Sequence, residues 1–191
     1  MTEKTNLALY THVQSKNVAL LRYYFKNLND PDYIFDENTL KTKISISGEY
    51  SRKQAKFPFI LFGQITSSGL MNRTIGQEMY QPIYENGVKV GYRIGGNFFV
   101  NAVISIGCES TAEARKLVDY VTSLYRINGK QWLLKNGMTL TDLSLVSPKT
   151  ELIGNDLVYW ERLNVSFITS WTQEVKDIGL IQEIDVDFDV K

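Results

Sequence analysis

The stretch Asn97-Phe98-Phe99-Val100-Asn101-Ala102-Val103-Ile104-Ser105-Ile106-Gly107, followed closely by Ser110-Thr111-Ala112-Glu113, decides the fold class. In the first part Phe98, Val100, Ala102, Ile104 and Ile106 share one face, and Phe99, Val103 and Ser105 the other. That period of two is the pattern of a β-strand. In the second part the Ser110 hydroxyl can accept from the Glu113 amide while the Glu113 carboxylate reaches back to the Ser110 amide, which is a capping box. The helix it opens is expected to run to about Arg126, with Ala114, Leu117, Val118, Val121, Leu124 and Tyr125 as its buried stripe. Asn128-Gly129 is expected to stop it.

Upstream lies the clearest hairpin, Met79 to Tyr84 and Val88 to Tyr92 around Glu85-Asn86-Gly87. Asn-Gly suits a type I′ turn because both central residues need positive φ. Pro82 cannot donate to a ladder, so its arm is expected to be an edge or bulged. Gly95-Gly96 is expected to separate this hairpin from the strand at 97–107. Further back, 43–47 and 57–62 read as strands, with polar loops from Gly48 to Lys56 and from Gln64 to Gln77. Residues 5–28 read as a helix whose apolar face is Leu7, Tyr10, Val13, Leu20, Leu21, Tyr24, Phe25 and Leu28. Asn29-Asp30-Pro31-Asp32 ends it, and 30–42 reads as a loop.

Downstream, Trp132-Leu133-Leu134 and Gly137 lead into a strand with broken alternation from Met138 to Leu145. Pro148 and Gly154-Asn155-Asp156 read as turns. Leu157 to Trp171 reads as a long strand with a slip at Glu161-Arg162 that suits a bulge. Ile184-Asp185-Val186-Asp187-Phe188-Asp189-Val190 alternates strictly. The order α-β-β-β-β-β-α-β-β-β, with tight hairpins, predicts an α+β fold: a mostly antiparallel sheet with helices packed on one face.

At 191 residues, and with no repeat or composition break, the chain is expected to be one domain over 1–191, with a C-terminal strand arm at 181–191. Lys and Arg balance Asp and Glu at 21 each, so the basic excess typical of nucleic-acid binders is missing. The densest basic run, Arg52-Lys53-Gln54-Ala55-Lys56, reads as a solvated loop. A single cysteine, Cys108, suits a reducing compartment. Met1 to Asn6 lacks an apolar signal core, and no run approaches the roughly 18 apolar residues of a membrane span. A cytoplasmic site of assembly is therefore expected.

The chemistry is sparse. His12 is the only histidine, and it reads as an ordinary helix residue rather than the base of a nucleophilic triad. One His and one Cys do not make an ordinary zinc site. Cys108 lies between a strand end and a helix start, where a dipole can lower a thiol pKa, but a small packed hydrophobe is the commoner role. Gly91 to Gly96 is no nucleotide fingerprint, because no helix follows. Asp185, Asp187 and Asp189 share one side of a strand and lack the glycine turn and later bidentate acid of a calcium loop. They read as a solvated edge face or as part of an arm that adds to a neighbouring subunit's sheet. Trp132, Trp160 and Trp171 with eleven tyrosines offer a sugar-binding surface as an alternative. No cofactor, metal or catalytic residue is expected, and the chain does not read as an enzyme.

The cadence from Asn97 to Trp171 resembles the tail terminator and neck (tail-completion) proteins of tailed bacteriophages. Its carriers are the strand Phe98 to Ile106, the capped helix with Glu113-Ala114, Leu117, Asp119, Val121 and Leu124, the strand with Leu143, and Leu157-Val158-Tyr159-Trp160-Glu161-Arg162-Leu163-Asn164-Val165-Ser166-Phe167. The helix at 5–28 suits the same plan. The resemblance implies a virion structural protein forming a closed ring, usually a hexamer, that ends the tail tube and joins it to the head connector. Its partners would be further copies of itself, tail tube or sheath protein and the connector, with DNA only passing through the lumen and no membrane. Contacts are then expected from the loops at 48–57 and 64–78 and from the C-terminal arm: Arg52, Lys53, Lys56, Asn72, Arg73, Asp185, Asp187, Phe188 and Asp189. Alternatives are another minor tail or baseplate protein, or a monomeric ligand- or carbohydrate-binding module.

Overall fold

The structure, a computed structural model, describes residues 9–38, 40–49, 57–70, 79–153 and 156–176. It is a mixed α+β fold with a mostly antiparallel sheet and helices packed on one face. The elements are α1 (Leu9–Lys26), a 3₁₀ turn (Pro31–Tyr33), β1 (Ser45–Ser47), β2 (Phe59–Leu70), β3 (Met79–Glu85), β4 (Val88–Cys108) and α2 (Thr111–Ser123). A π-helical turn (Leu124–Asn128), α3 (Lys130–Lys135), β5 (Met138–Ile153) and β6 (Asp156–Lys176) complete the order. The strands run β1-β2-β4-β6-β5 across the sheet, and β3 pairs with the outer part of β4. Among the described strands only the β1–β2 pair is parallel.

The main core lies between the helices and one sheet face. Val13, Leu20, Leu21 and Phe25 of α1 meet Ala114, Leu117 and Val121 of α2. Beneath them lie Ile60 and Phe62 of β2, Val100, Ala102, Ile104 and Ile106 of β4, and Leu163, Val165 and Phe167 of β6. These are the predicted stripes, and burial of each large side chain is worth about 1.5–3 kcal/mol. The cap of α2 also forms, with the Glu113 amide donating to Ser110 Oγ at 3.2 Å. The reciprocal bond, from the Ser110 amide to the Glu113 carboxylate, does not form among the described residues.

Several boundaries depart from the sequence reading. Gly95-Gly96 does not divide two strands; β4 runs straight through, with Gly95 opposite Thr172 and Gly96 opposite Trp171. A strand paired on both sides keeps its ladder through glycines that would end an isolated one. The polar stretch from Gln64 is no loop as far as Leu70, because β2 continues along β4 through two register shifts. Pro148 lies inside β5 rather than at a turn, in a shift between Val146 and Lys149, where the missing N–H costs no regular ladder bond. Asn128-Gly129 does not end the helical path, since α3 follows directly. Gly129 has an ordinary φ of −91°. A Cβ there would lie 3.0 Å from the Leu124 carbonyl and 3.1 Å from Leu20 Cδ2, so the glycine serves the close approach of α1.

The expected bulge at Glu161-Arg162 is absent from β6, which pairs with β4 without a shift from Tyr159 to Lys176. What changes there is the face carrying the apolar residues. Leu163, Val165 and Phe167 point to the helices, whereas Val158 and Trp160 form a second cluster with Phe59, flanked by Phe57 and Leu61. The Phe59 and Trp160 rings meet edge to face at 6.4 Å. A Cβ on Gly107 would come within 3.0 Å of the Trp160 ring, so only glycine lets the indole lie against β4.

Candidate functional site

The hairpin turns as the sequence requires, with φ of 53° at Asn86 and 81° at Gly87. From it β3, the first half of β4 and the last part of β6 run as a three-stranded ribbon. Met79 pairs with Gly95, Pro82 with Tyr92 and Glu85 with Val88, while Tyr92 pairs on its other side with Val175. Strands rise about 3.3 Å per residue, so β4 spans roughly 65–70 Å. Helical cover ends near Phe98, which is half-buried against the core. Beyond it, among the described residues, the ribbon is a single layer. Tyr84 and Val88 are 61% and 66% exposed, and most described side chains from Gln81 to Arg93 lie open. Lys89 packs its ammonium over the Tyr92 ring at 3.5 Å and donates to the phenol oxygen, which stiffens the ribbon locally. Among the described residues nothing supplies the covering layer that normally stabilises β-structure in water.

The body of the sheet treats its edges differently. The Ser45 amide donates to the Pro58 carbonyl at 3.0 Å, so alternation turns the Ile46 carbonyl outward from β1. Arg22 occupies that carbonyl twice, through Nε at 3.1 Å and Nη2 at 2.8 Å, with its guanidinium over the Phe35 ring at 5.4 Å. On the far edge Arg126 Nη2 donates to the Leu143 carbonyl of β5 at 3.2 Å. Two register shifts and Pro148 interrupt β5 further. Each edge of the body thus carries an arginine on one outward carbonyl, which hinders a further strand at Ile46 and at Leu143, and Pro82 removes a donor from the edge of β3.

A cavity of about 350 Å³ lies beside β1, lined by Arg22, Phe35, Asp36, Glu37, Glu49 and Phe59 among others. It holds opposed charges and no nucleophile–base pair. Near it in the fold, Asp30 anchors the 3₁₀ turn to α2. Its Oδ2 accepts from the Tyr120 hydroxyl at 2.7 Å and pairs with Lys116 Nζ at 2.9 Å. Those two contacts, Tyr120 first, hold the Asp30 carboxyl below its usual range. Lys116 also lies over the Tyr33 ring at 4.9 Å.

Cys108 is fully buried, and burial, reinforced by the Glu113 and Glu109 charges, pushes its thiol far up. It is a packed, protonated side chain and no nucleophile. His12 is half-buried on α1. Among the described residues no group of three His, Cys, Asp or Glu side chains is placed to hold a metal ion, and no helix is long and apolar enough to cross a membrane. Trp160 is buried and Trp132 packs against the core, so neither presents the open ring face that a sugar surface needs.

The expected contact residues Arg52, Lys53, Lys56, Asn72, Arg73, Asp185, Asp187, Phe188 and Asp189 all lie outside the described residues. The ribbon, by contrast, reads in the sequence as an ordinary hairpin. Its exposure is not legible there, because Val88, Val90 and Tyr92 alternate as core-facing strand residues do. No protein-family model matches the chain, and no curated protein matches it.

Proposed function

We propose that this chain is a structural subunit of the neck of a tailed-phage virion, a tail terminator that assembles as a closed ring between tail tube and head connector. The observation that carries the reading is the uncovered ribbon of β3, β4 and β6 with Tyr84 and Val88 in the open. A single β-layer of that length is marginal alone and stable when another chain covers or extends it. The cadence of strand, capped helix and long strand from Asn97 to Trp171 supports the same assignment. The arginines held on the outward Ile46 and Leu143 carbonyls hinder strand addition at those two points, which suits a subunit whose ring closes through two dissimilar surfaces. In this reading the loops at 48–57 and 64–78 reach the tube or connector, ring-lining acids let DNA pass without sticking, and the protein resides in the virion.

The test is the native mass of the purified chain by light scattering, with negative-stain imaging of the same sample. Rings, usually of six copies in such proteins, are expected. A monomer that also fails to cap isolated tail tubes would overturn the assignment.

A further inference from the structure

We propose that an open floor on the helix side of the sheet, formed by Leu145 and Leu152 of β5 and Leu157 of β6 around the buried carboxylate of Glu161, seats the uncovered β3–β4 hairpin of a second copy of this chain. The inference rests on the ring reading above and names the two surfaces through which the ring closes.

The floor follows from the register. Leu163, Val165 and Phe167 of β6 pack under the helices. Alternate residues of a strand share a face, and β6 keeps its register with β4 back to Tyr159. Glu161, Tyr159 and Leu157 therefore lie on that face too. Residues opposite one another in a ladder also share a face, which adds Leu145 opposite Leu163 and Leu152 opposite Leu157. Helical cover stops short of them. α2 lies against β4 and β6, and α3 against β5. Leu143 of β5 is buried there, but Leu145, the next residue on the same face, is 62% exposed, and Leu152 and Leu157 are exposed as well. Glu161 sits among these leucines, level with the register shift between Val146 and Lys149. It is only 5% exposed, and among the described residues its Oε2 has no hydrogen-bond partner. A buried carboxylate oxygen without a donor is costly. A cation brought by another chain supplies that donor while the rest of the contact covers the leucines.

The occupant follows from charge and from the faces of the sheet. Two copies set floor to floor would bring Glu161 against Glu161, which like charge disfavours. The hairpin is the complementary surface. Gly91 pairs with Ile83, and beyond the shift Val88 pairs with Glu85, so Ile83, Val88 and Arg93 share the face turned away from the helix side. Val88 and Arg93 are exposed. Arg93 brings a guanidinium, the cation best suited to a buried carboxylate, with five donors to divide among acceptors. Hairpin and floor lie at opposite ends of β4, which begins at Val88 and ends at Cys108 opposite Tyr159. They also lie on opposite faces of the sheet. Contact between them therefore joins unlike surfaces of two copies, and it packs one β-layer on another. Repeated from each copy to the next it is head-to-tail, the arrangement that closes a ring.

The test uses two variants of the full chain, Val88→Asp in the hairpin and Leu152→Asp in the floor, with native mass by light scattering as the readout. Both side chains are exposed, so each variant should melt as the wild type does. Each alone should assemble about tenfold more weakly. Mixed in equal amounts they should form a one-to-one dimer, because one variant keeps its floor and the other its hairpin. Unchanged assembly of either variant, or a mixture that yields no dimer, overturns the proposal. Glu161→Gln should weaken assembly without lowering the melting temperature, and unchanged assembly there is equally fatal. Where an aspartate variant does not fold, Glu161→Gln decides alone. Wild-type rings that survive these substitutions leave the ring reading standing and remove this contact, while a wild-type monomer that caps no tubes removes both. For a wild type that is monomeric yet caps tubes, loss of capping by each variant is the expected result, and retained capping overturns the proposal.

Discussion

The Tyr125 hydroxyl donates to Asn17 Oδ1 at 2.9 Å in the centre of the core, joining α1 to the π-helical turn. Both side chains are essentially unexposed. Asn17 spends its amide on the Val13 carbonyl at 2.8 Å and on Met138 Sδ at 3.5 Å, and burial pushes the Tyr125 phenol far up. Tyr125→Phe leaves a buried acceptor without its donor, at a cost of about 1–3 kcal/mol. At about 2–4 °C per kcal/mol for a chain of this size, the melting temperature should fall visibly in calorimetry. Adding Asn17→Leu should recover part of the loss. A double variant no more stable than the single one would show that the bond is not what Tyr125 contributes.

Gly107 tests the second cluster. Gly107→Val places branched carbon where the Trp160 ring already lies 3.0 Å from an added Cβ. Overpacking of this kind costs about 1–3 kcal/mol. The urea midpoint should fall, and Trp160→Leu in the same chain should relieve part of the clash.

The Asp30 anchor gives a pH dependence of known sign. Its folded pKa is depressed, first by the Tyr120 hydroxyl and then by Lys116. The stabilisation is complete above the unfolded carboxyl pKa of about 4 and is lost as pH falls through the lower folded value. Thermal melts of wild type and Asp30→Asn should differ at pH 7 and converge at the acid end. Curves that stay parallel down to acid pH would assign the stabilisation to other groups.

The arginine blocks predict a change in association rather than in fold. Arg22→Leu exposes the outward Ile46 carbonyl now held at 2.8 Å, and Arg126→Leu does the same at Leu143. Unblocked edges recruit strands, so both variants should scatter more light and bind more amyloid dye on mild heating than wild type. The double variant should exceed either single one.

Cys108 should resist alkylation in the native protein, because its thiol is buried and held protonated. Mass spectrometry after iodoacetamide should find it unmodified until denaturant is added, with labelling following the unfolding curve.

Much of this architecture lies on the surface of the sequence. Alternation in Phe98 to Ile106, the Ser110–Glu113 cap, the Asn86-Gly87 turn and the stripe of α1 are local signals, set by period and turn chemistry within a few residues. They determined the class of the fold and the direction of each buried face. Tertiary structure decided what depends on a neighbour. Gly95-Gly96 and the polar run to Leu70 become strand because β4 and β6 hold their ladders. Gly107 is needed only because Trp160 crosses it, and Asn17 is buried only because Tyr125 meets it. Among the described residues the ribbon is exposed because the described helices end before they reach it, a fact of layer geometry that no hydrophobic pattern in β4 encodes: the same alternation of Val88, Val90 and Tyr92 serves equally well against a helix of its own chain or against another molecule.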